Sequence, residues 1–133
     1  MIFVDTNILI YAAGEPHPFK DRCVRLLKLH AKKAVVLSCN VEVLQEILHY
    51  FQRGKRLALG LSLLKHIQDL NVVAYPVQHR DMRFASDLLP HFPDVPVRDF
   101  IHASTMLNYN MDQIYSFDKD FDRLPGIRRI EPE

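Results

Sequence analysis

The sequence has few cysteines and no long apolar run, and each of these shortages excludes a class of protein. Its two cysteines, Cys23 and Cys39, are too few for a disulfide scaffold and lack the paired spacings of a metal site. We expect both to be buried free thiols in a reducing compartment. No apolar stretch approaches the roughly 18 residues of a membrane span, and the N-terminus lacks the basic start of a signal peptide. We therefore expect a soluble, cytoplasmic protein.

An excess of charge of one sign is also missing, because 17 Lys and Arg residues face 16 Asp and Glu residues. This balance excludes a strongly cationic nucleic-acid coat but leaves room for a local basic patch. Apolar residues make up 48% of the chain and charged residues 25%, which is typical of a globular protein and excludes disorder. With 133 residues, the chain is expected to form a single domain over residues 1–133.

Short apolar runs alternate with amphipathic stretches along the chain. The runs predict buried strands at 1–4, 34–37, 72–75 and 114–117, with a charged edge strand at 128–130. Helical spacing predicts helices at 8–13, 19–33, 40–53, 55–70, 79–89 and 97–109. In the third helix we expect Asn40 to be the N-cap and Val41, Leu44, Ile47, Leu48 and Phe51 to face the core. The order predicts an α/β fold, a three-layer α/β/α sandwich with a central, mostly parallel sheet of about five strands.

Four acidic residues occur where such a fold gathers its ligands. Ligands bind at the carboxyl ends of parallel strands, where Asp5 follows the first strand and Asp118 the fourth. Helix N-termini share this edge, which adds Asp99 in a first turn and Glu46 about two turns into another helix. Glu42 would replace Glu46 if the register of that helix is shifted by one turn. The sequence thus predicts acids from four segments on one rim of the sheet.

Carboxylates at close range raise one another's pKa unless a cation lies between them. Ligation by oxygen alone favours Mg²⁺ or Mn²⁺, and we expect one or two ions that serve metal-assisted phosphodiester hydrolysis. Thr6, Asn7 and Ser116 are expected to orient the ligands through hydrogen bonds, and Asp120 to do so or to cap a helix. Each acid taken singly is better explained as a cap or turn former, so the prediction depends on their joint placement.

Each of these acids lies in a longer segment, and the segments occur in a fixed order: Val4–Leu9, Ser38–Glu46, Val97–Ala103 and Ile114–Phe121. Together they resemble the motifs of the PIN-domain ribonucleases and, within that family, the VapC-like toxins of toxin–antitoxin pairs. The resemblance covers nearly the whole chain. Ser116 stands where the family usually has Thr, which keeps the hydroxyl. The resemblance implies that Asp5, Glu46, Asp99 and Asp118 are catalytic metal ligands.

The resemblance also implies an endoribonuclease that depends on Mg²⁺ or Mn²⁺, a small VapB-like antitoxin that binds near the site, and a homodimer. Because an acidic rim repels RNA, at least one basic cluster is expected to line the path of the RNA. The candidates are Lys32-Lys33, Arg53-Gly54-Lys55-Arg56, Arg80 with Arg83, and Arg128-Arg129. Two alternatives stay open: an RNA-processing nuclease outside a toxin–antitoxin pair, and a PIN-like module that binds RNA or protein without cutting.

Three other chemistries fit the sequence less well. An aspartate-nucleophile phosphatase needs a second acid at the position of Asn7. A response-regulator receiver needs a phosphoacceptor Asp after the third strand, where residues 75–77 supply none. Glu46 and His49 have the Glu-x-x-His spacing of di-iron bundles, but that class needs a second such pair and four long helices. We expect His49 and His102 to be ordinary surface or core histidines.

Overall fold

A computed structural model describes all 133 residues and contains one five-stranded sheet. The strands are β1 (Ile2–Val4), β2 (Leu37–Asn40), β3 (Val73–Tyr75), β4 (Gln113–Tyr115) and β5 (Arg128–Ile130). The helices are α1 (Thr6–Ala13), α2 (Lys20–Ala31), α3 (Val41–Arg53), α4 (Leu57–Asp69), α5 (His79–Leu88) and α6 (Val97–Asn108). Short 3-10 helices lie at Leu89–His91 and Lys119–Arg123.

The strands are all parallel and lie in the order β3-β2-β1-β4-β5. From β1 the chain moves outward through β2 to β3 and then crosses back to β4. Because such crossovers are right-handed, α1 to α4 cover one face of the sheet, and α5 and α6 cover the other. The predicted α/β/α sandwich is confirmed, and its sheet is wholly rather than mostly parallel. None of the helices is both long enough and apolar enough to cross a membrane.

The two cysteines lie in the core as free thiols, as predicted. Burial raises the pKa of Cys23 to about 11 and that of Cys39 to about 12. Neither side chain is therefore a thiolate at neutral pH, and neither has the reactivity of a catalytic or metal-binding cysteine.

The strand predicted at 34–37 is wrong in its position, because β2 covers Leu37–Asn40. Val36 is 48% exposed, and pairing with β1 starts at Leu37, opposite Ile2. The strand instead includes Ser38 and Asn40, which are fully buried. Their side chains find hydrogen-bond partners, on Met111 and Thr105 respectively, and this compensates for the loss of water. A prediction based on apolar runs misses the end of this strand, because two of its buried residues are polar.

The first turn of α3 fixes which acids reach the rim. Asn40 is the N-cap as predicted, and its side-chain oxygen accepts the N–H of Val43 (3.0 Å). The fully buried residues of the helix are Val43, Ile47 and Phe51, whereas the predicted core residue Val41 is exposed. Glu46 lies one turn after the buried Val43 and is itself partly buried, so it lies at the border of the buried stripe rather than in open solvent.

At Gly60, α4 packs directly against Phe51 of α3. A Cβ atom at this position would lie 2.9 Å from the Cβ of Phe51. Overpacking costs roughly 1–3 kcal/mol, and the higher helix propensity of Ala returns about 1 kcal/mol. We therefore expect Gly60→Ala to lower the free energy of unfolding by about 1 kcal/mol net in urea denaturation. Gly54→Ala is the control, since its Cβ would meet the carbonyl of Tyr50 at an ordinary 3.5 Å. Equal stability of the two variants would contradict the close packing.

Candidate metal centre

Asp5 lies at the carboxyl end of β1, where it caps α1. Its Oδ1 accepts the N–H of Thr6 (2.8 Å), and its Oδ2 accepts the hydroxyl of Ser116 (2.6 Å). The Ser116 oxygen in turn accepts the N–H of Asp118 (2.9 Å). Strand β4 ends at Tyr115, earlier than the predicted end at 117. Ser116 and Asp118 therefore lie in the segment that follows the strand, at the carboxyl edge of the sheet. One hydroxyl thus connects the first acid to the last acidic segment.

Three carboxylates meet at the same rim, in a group that includes neither Asp5 nor Glu46. Asp99, Asp118 and Asp120 each offer an oxygen, and these oxygens lie within 4.8 Å of one another. Asp99 belongs to the first turn of α6 and is 2% exposed. Asp118 caps the following 3-10 helix by accepting the N–H of Asp120 (2.9 Å). Asp120 therefore lies close enough to be a ligand itself, a possibility that the sequence pattern did not indicate.

The electrostatics of Asp99 fit a cation. Burial contributes most to raising its pKa, the charges of Asp118 and Asp5 add to the rise, and the resulting pKa is about 8. Burial also raises the pKa of Asp5. The Oδ2 atom of Asp99 is buried without a hydrogen-bond partner. Leaving a buried carboxyl oxygen unpaired beside other acids is costly, and a hard divalent cation would satisfy it.

Glu46 reaches the site from α3 with two cationic or potentially cationic neighbours. The Nε2 of His102 lies 3.0 Å from its Oε1, and the Nε of Arg98 lies 3.5 Å from its Oε2. His102 is fully buried and lies in α6 one turn after Asp99. The charge of Glu46 contributes to the raised pKa of Asp5. His102 therefore holds a candidate ligand in place, which the sequence prediction of an ordinary core histidine did not include. The spacing of Asp99 and His102 indicated that both lie on one helix face, but not that His102 contacts Glu46.

Thr6 and Asn7 lie at the start of α1, next to these acids. The hydroxyl of Thr6 is buried without a partner, whereas Asn7 is exposed. Both residues line a polar cleft that also contains Glu46 and Arg98. Neither side chain makes a hydrogen bond to an acid of the site, so their orienting role stays a prediction.

The choice between Glu46 and Glu42 is testable with a matched pair of substitutions. Both acids lie near His102 and Arg98, and burial followed by the charge of Glu46 raises the pKa of Glu42. The direct contacts to His102 and Arg98 belong to Glu46. We expect Glu46→Gln to abolish RNA cleavage in Mn²⁺ and Glu42→Gln to retain most of it. The opposite result would mean that α3 contributes its acid one turn earlier.

Comparison with known proteins agrees with this geometry. Residues 2–127 match the PIN domain family. Ribonuclease VapC13 of Mycobacterium tuberculosis is 33% identical over 130 residues, which cover 98% of this chain and 99% of the relative. The chain is also similar to the crystal structure of Mycobacterium tuberculosis VapC20, a Sarcin-Ricin loop cleaving toxin, with a TM-score of 0.82 and 19% sequence identity. The match covers 99% of this chain and 100% of the VapC20 chain. A toxin–antitoxin complex from Klebsiella pneumoniae has a TM-score of 0.66 at 14% identity, with 96% of each chain covered.

Proposed function

This chain belongs to the PIN-domain family and, within it, to the VapC ribonucleases, and we propose that it is a metal-dependent endoribonuclease that acts as the toxin of a toxin–antitoxin pair. The observation that carries the metal dependence is the buried carboxyl group of Asp99: one of its oxygens has no partner, and Asp99, Asp118 and Asp120 offer oxygens within 4.8 Å of one another. A module that only binds RNA has no need of a buried acid, Asp99, whose pKa is raised by burial and by its acidic neighbours. The acidic site therefore favours a nuclease over a non-catalytic member.

The proposed ligands are Asp5, Glu46, Asp99 and Asp118, with Asp120 beside them, and they would hold one or two Mg²⁺ or Mn²⁺ ions. When bound, such an ion polarises the phosphodiester and lowers the pKa of the attacking water. The other groups of the chain position these ligands. Ser116 holds one oxygen of Asp5 (2.6 Å), and His102 holds one oxygen of Glu46 (3.0 Å). Substituting such supporting groups typically lowers metal affinity or activity about 10- to 100-fold.

The direct test is cleavage of a labelled RNA by the purified protein in Mg²⁺, Mn²⁺ and EDTA. We expect internal cleavage with either metal and none in EDTA, and no cleavage of a DNA strand of the same sequence. Binding of the RNA without cleavage under all of these conditions would instead support the non-catalytic module.

The family also suggests two protein partners. A solved structure with the same fold is a toxin–antitoxin complex, which supports an antitoxin as partner of this chain. We propose that a small VapB-like protein inhibits the nuclease by binding near the acidic rim, and that the toxin itself forms a homodimer. The neighbouring gene should encode a short DNA-binding protein that suppresses RNA cleavage when it is added to the toxin. Light scattering of the isolated toxin tests the dimer, and a monomer mass would contradict it.

A further inference from the structure

One of the basic clusters shares a cleft with the acidic site. The cleft has a volume of about 560 Å³ and lies beside Thr6 and Asn7 at the start of α1. Glu46 is its only acidic lining residue, whereas Arg53, Arg56 and Arg98 also line it. The cleft therefore brings three arginines and one of the proposed metal ligands together in its lining.

The arginines of this cleft differ in how far their charge is already compensated. Arg53 is exposed and makes no ion pair within the chain. The side chain of Arg98 is 52% exposed, and its pairing with Glu46 is long at 3.5 Å. Arg56 is held by Glu15 at 2.8 Å. Arg53 and Arg98 are thus the guanidinium groups best placed to contact an incoming phosphate.

An aromatic ring accompanies these charges. Tyr50 lines the same cleft and is 47% exposed. The fully buried ring of Phe51 packs edge-to-face against the Tyr50 ring, with 5.1 Å between the ring centroids. An exposed aromatic ring beside arginines is the usual platform for an unstacked base in single-stranded nucleic acid.

The other basic clusters lie elsewhere or are neutralised. Lys32 and Lys33 follow α2 and precede β2, at the end of the sheet opposite to the acids. Arg129 pairs with Asp122 (3.1 Å) and Glu131 (2.9 Å). Arg80 and Arg83 belong to α5, and neither residue lines the cleft.

We propose that the cleft lined by Tyr50, Arg53 and Arg98 binds a single-stranded segment of the RNA substrate and leads it to the metal centre. This inference rests on the proposed ribonuclease function and adds which surface receives the strand. Arg53 and Arg98 contact backbone phosphates, and Tyr50 stacks against one base. The single strand is favoured over a duplex because a base in a duplex is not free to stack on a protein ring.

The test is binding of a fluorescein-labelled, single-stranded RNA to the full chain in EDTA, measured by anisotropy over a series of KCl concentrations. EDTA stops metal-dependent cleavage and removes any contribution of the metal to binding. We expect Arg53→Ala/Arg98→Ala to weaken binding at least about tenfold and to lower the salt slope by about 1.4, since each lost phosphate contact lowers it by about 0.7. Tyr50→Leu should weaken binding by about tenfold without changing the salt slope.

Two double variants with the same loss of charge serve as controls, Lys32→Ala/Lys33→Ala and Arg80→Ala/Arg83→Ala. Both should bind within about twofold of the wild type, because their side chains lie outside the cleft. Equal losses in the Arg53/Arg98 and Lys32/Lys33 variants, or a loss confined to Arg80/Arg83, would overturn the proposed path. Absence of wild-type binding would overturn it too. Cleavage by the wild type in Mn²⁺ is scored separately, so failure of the path is distinguishable from failure of the ribonuclease function.

Discussion

Asp5→Asn is expected to lower the rate of RNA cleavage at least about 100-fold and to leave the fold intact, because a neutral amide is a poor ligand for Mg²⁺ and Mn²⁺. The fold is expected to survive because Asn caps a helix about as well as Asp does. The amide oxygen can still accept either the N–H of Thr6 or the hydroxyl of Ser116, which are the two groups that Asp5 contacts. The measurement is the single-turnover cleavage rate in saturating Mn²⁺.

Asp87→Asn is the matched control for this substitution. Asp87 is exposed on α5 and makes no ion pair, so its loss changes the net charge by the same amount without touching the rim. It should cleave RNA at the wild-type rate. Circular dichroism of both variants checks that they are folded. Wild-type turnover by Asp5→Asn at saturating metal would remove Asp5 from the proposed ligands.

The rim of acids was predictable because its position follows from chain topology. Asp5 and Asp118 closely follow short apolar runs, and the carboxyl ends of parallel strands meet at one edge whatever the details of packing. Asp99 lies in the first turn of a helix that begins at the same edge. These placements tolerate errors of one or two residues in the predicted strand bounds, such as the early end of β4.

The parts that could not be predicted depend on contacts between distant side chains. β2 was misplaced because Ser38 and Asn40 are buried through hydrogen bonds to residues more than 60 positions away. The contact between His102 and Glu46 joins two helices 56 positions apart in the chain. Glu-x-x-His and Asp-x-x-His spacings describe one helix at a time, so they give no information about which other helix a histidine faces.

The same limit applies to the basic cleft. Arg53 lies in the last turn of α3, whereas Arg98 lies in the first turn of α6. Runs of basic residues in the sequence identified Arg53 but not Arg98, which stands alone between Val97 and Asp99. Only the tertiary packing of α3 and α6 brings these charges into one cleft.

The second large effect is the coupling of metal, pH and stability through Asp99. The pKa of Asp99 is about 8 in the metal-free fold, against an ordinary value of 3.8. Between these values the native state keeps a proton that the unfolded chain releases, so stability falls as pH rises, by at most about 1.4 kcal/mol for each unit. This sign is opposite to that of an acid in a salt bridge. We expect the metal-free wild type to be more stable at pH 5 than at pH 8.

Asp99→Asn removes this titration. In EDTA it is expected to unfold at a higher temperature than the wild type at pH 8, and the difference should shrink toward pH 5, where wild-type Asp99 carries its proton. The Asn side chain is neutral, so the substitution creates no buried charge. Its amide also offers an acceptor oxygen and N–H donors, which replace part of the hydrogen bonding of a neutral carboxyl group. A constant difference between the two proteins across this pH range would mean that Asp99 does not titrate as the geometry indicates.

Addition of metal should reverse the order of the two proteins. An ion that binds only the native state stabilises it by about 2.7 kcal/mol at a hundredfold excess over Kd, a rise of roughly 10 °C in Tm for a domain of this size. At pH 8 we expect Mn²⁺ to raise the Tm of the wild type at least as much as Mg²⁺, and to raise that of Asp99→Asn far less. The rise should be smaller at pH 5, because binding must then displace the proton of Asp99.

Ca²⁺ should also stabilise the wild type but support little cleavage, since its looser coordination positions the attacking water poorly. Equal midpoints in EDTA and in every metal would mean that the acids of the rim do not form a cation site, and metal-dependent cleavage would then lose its physical basis.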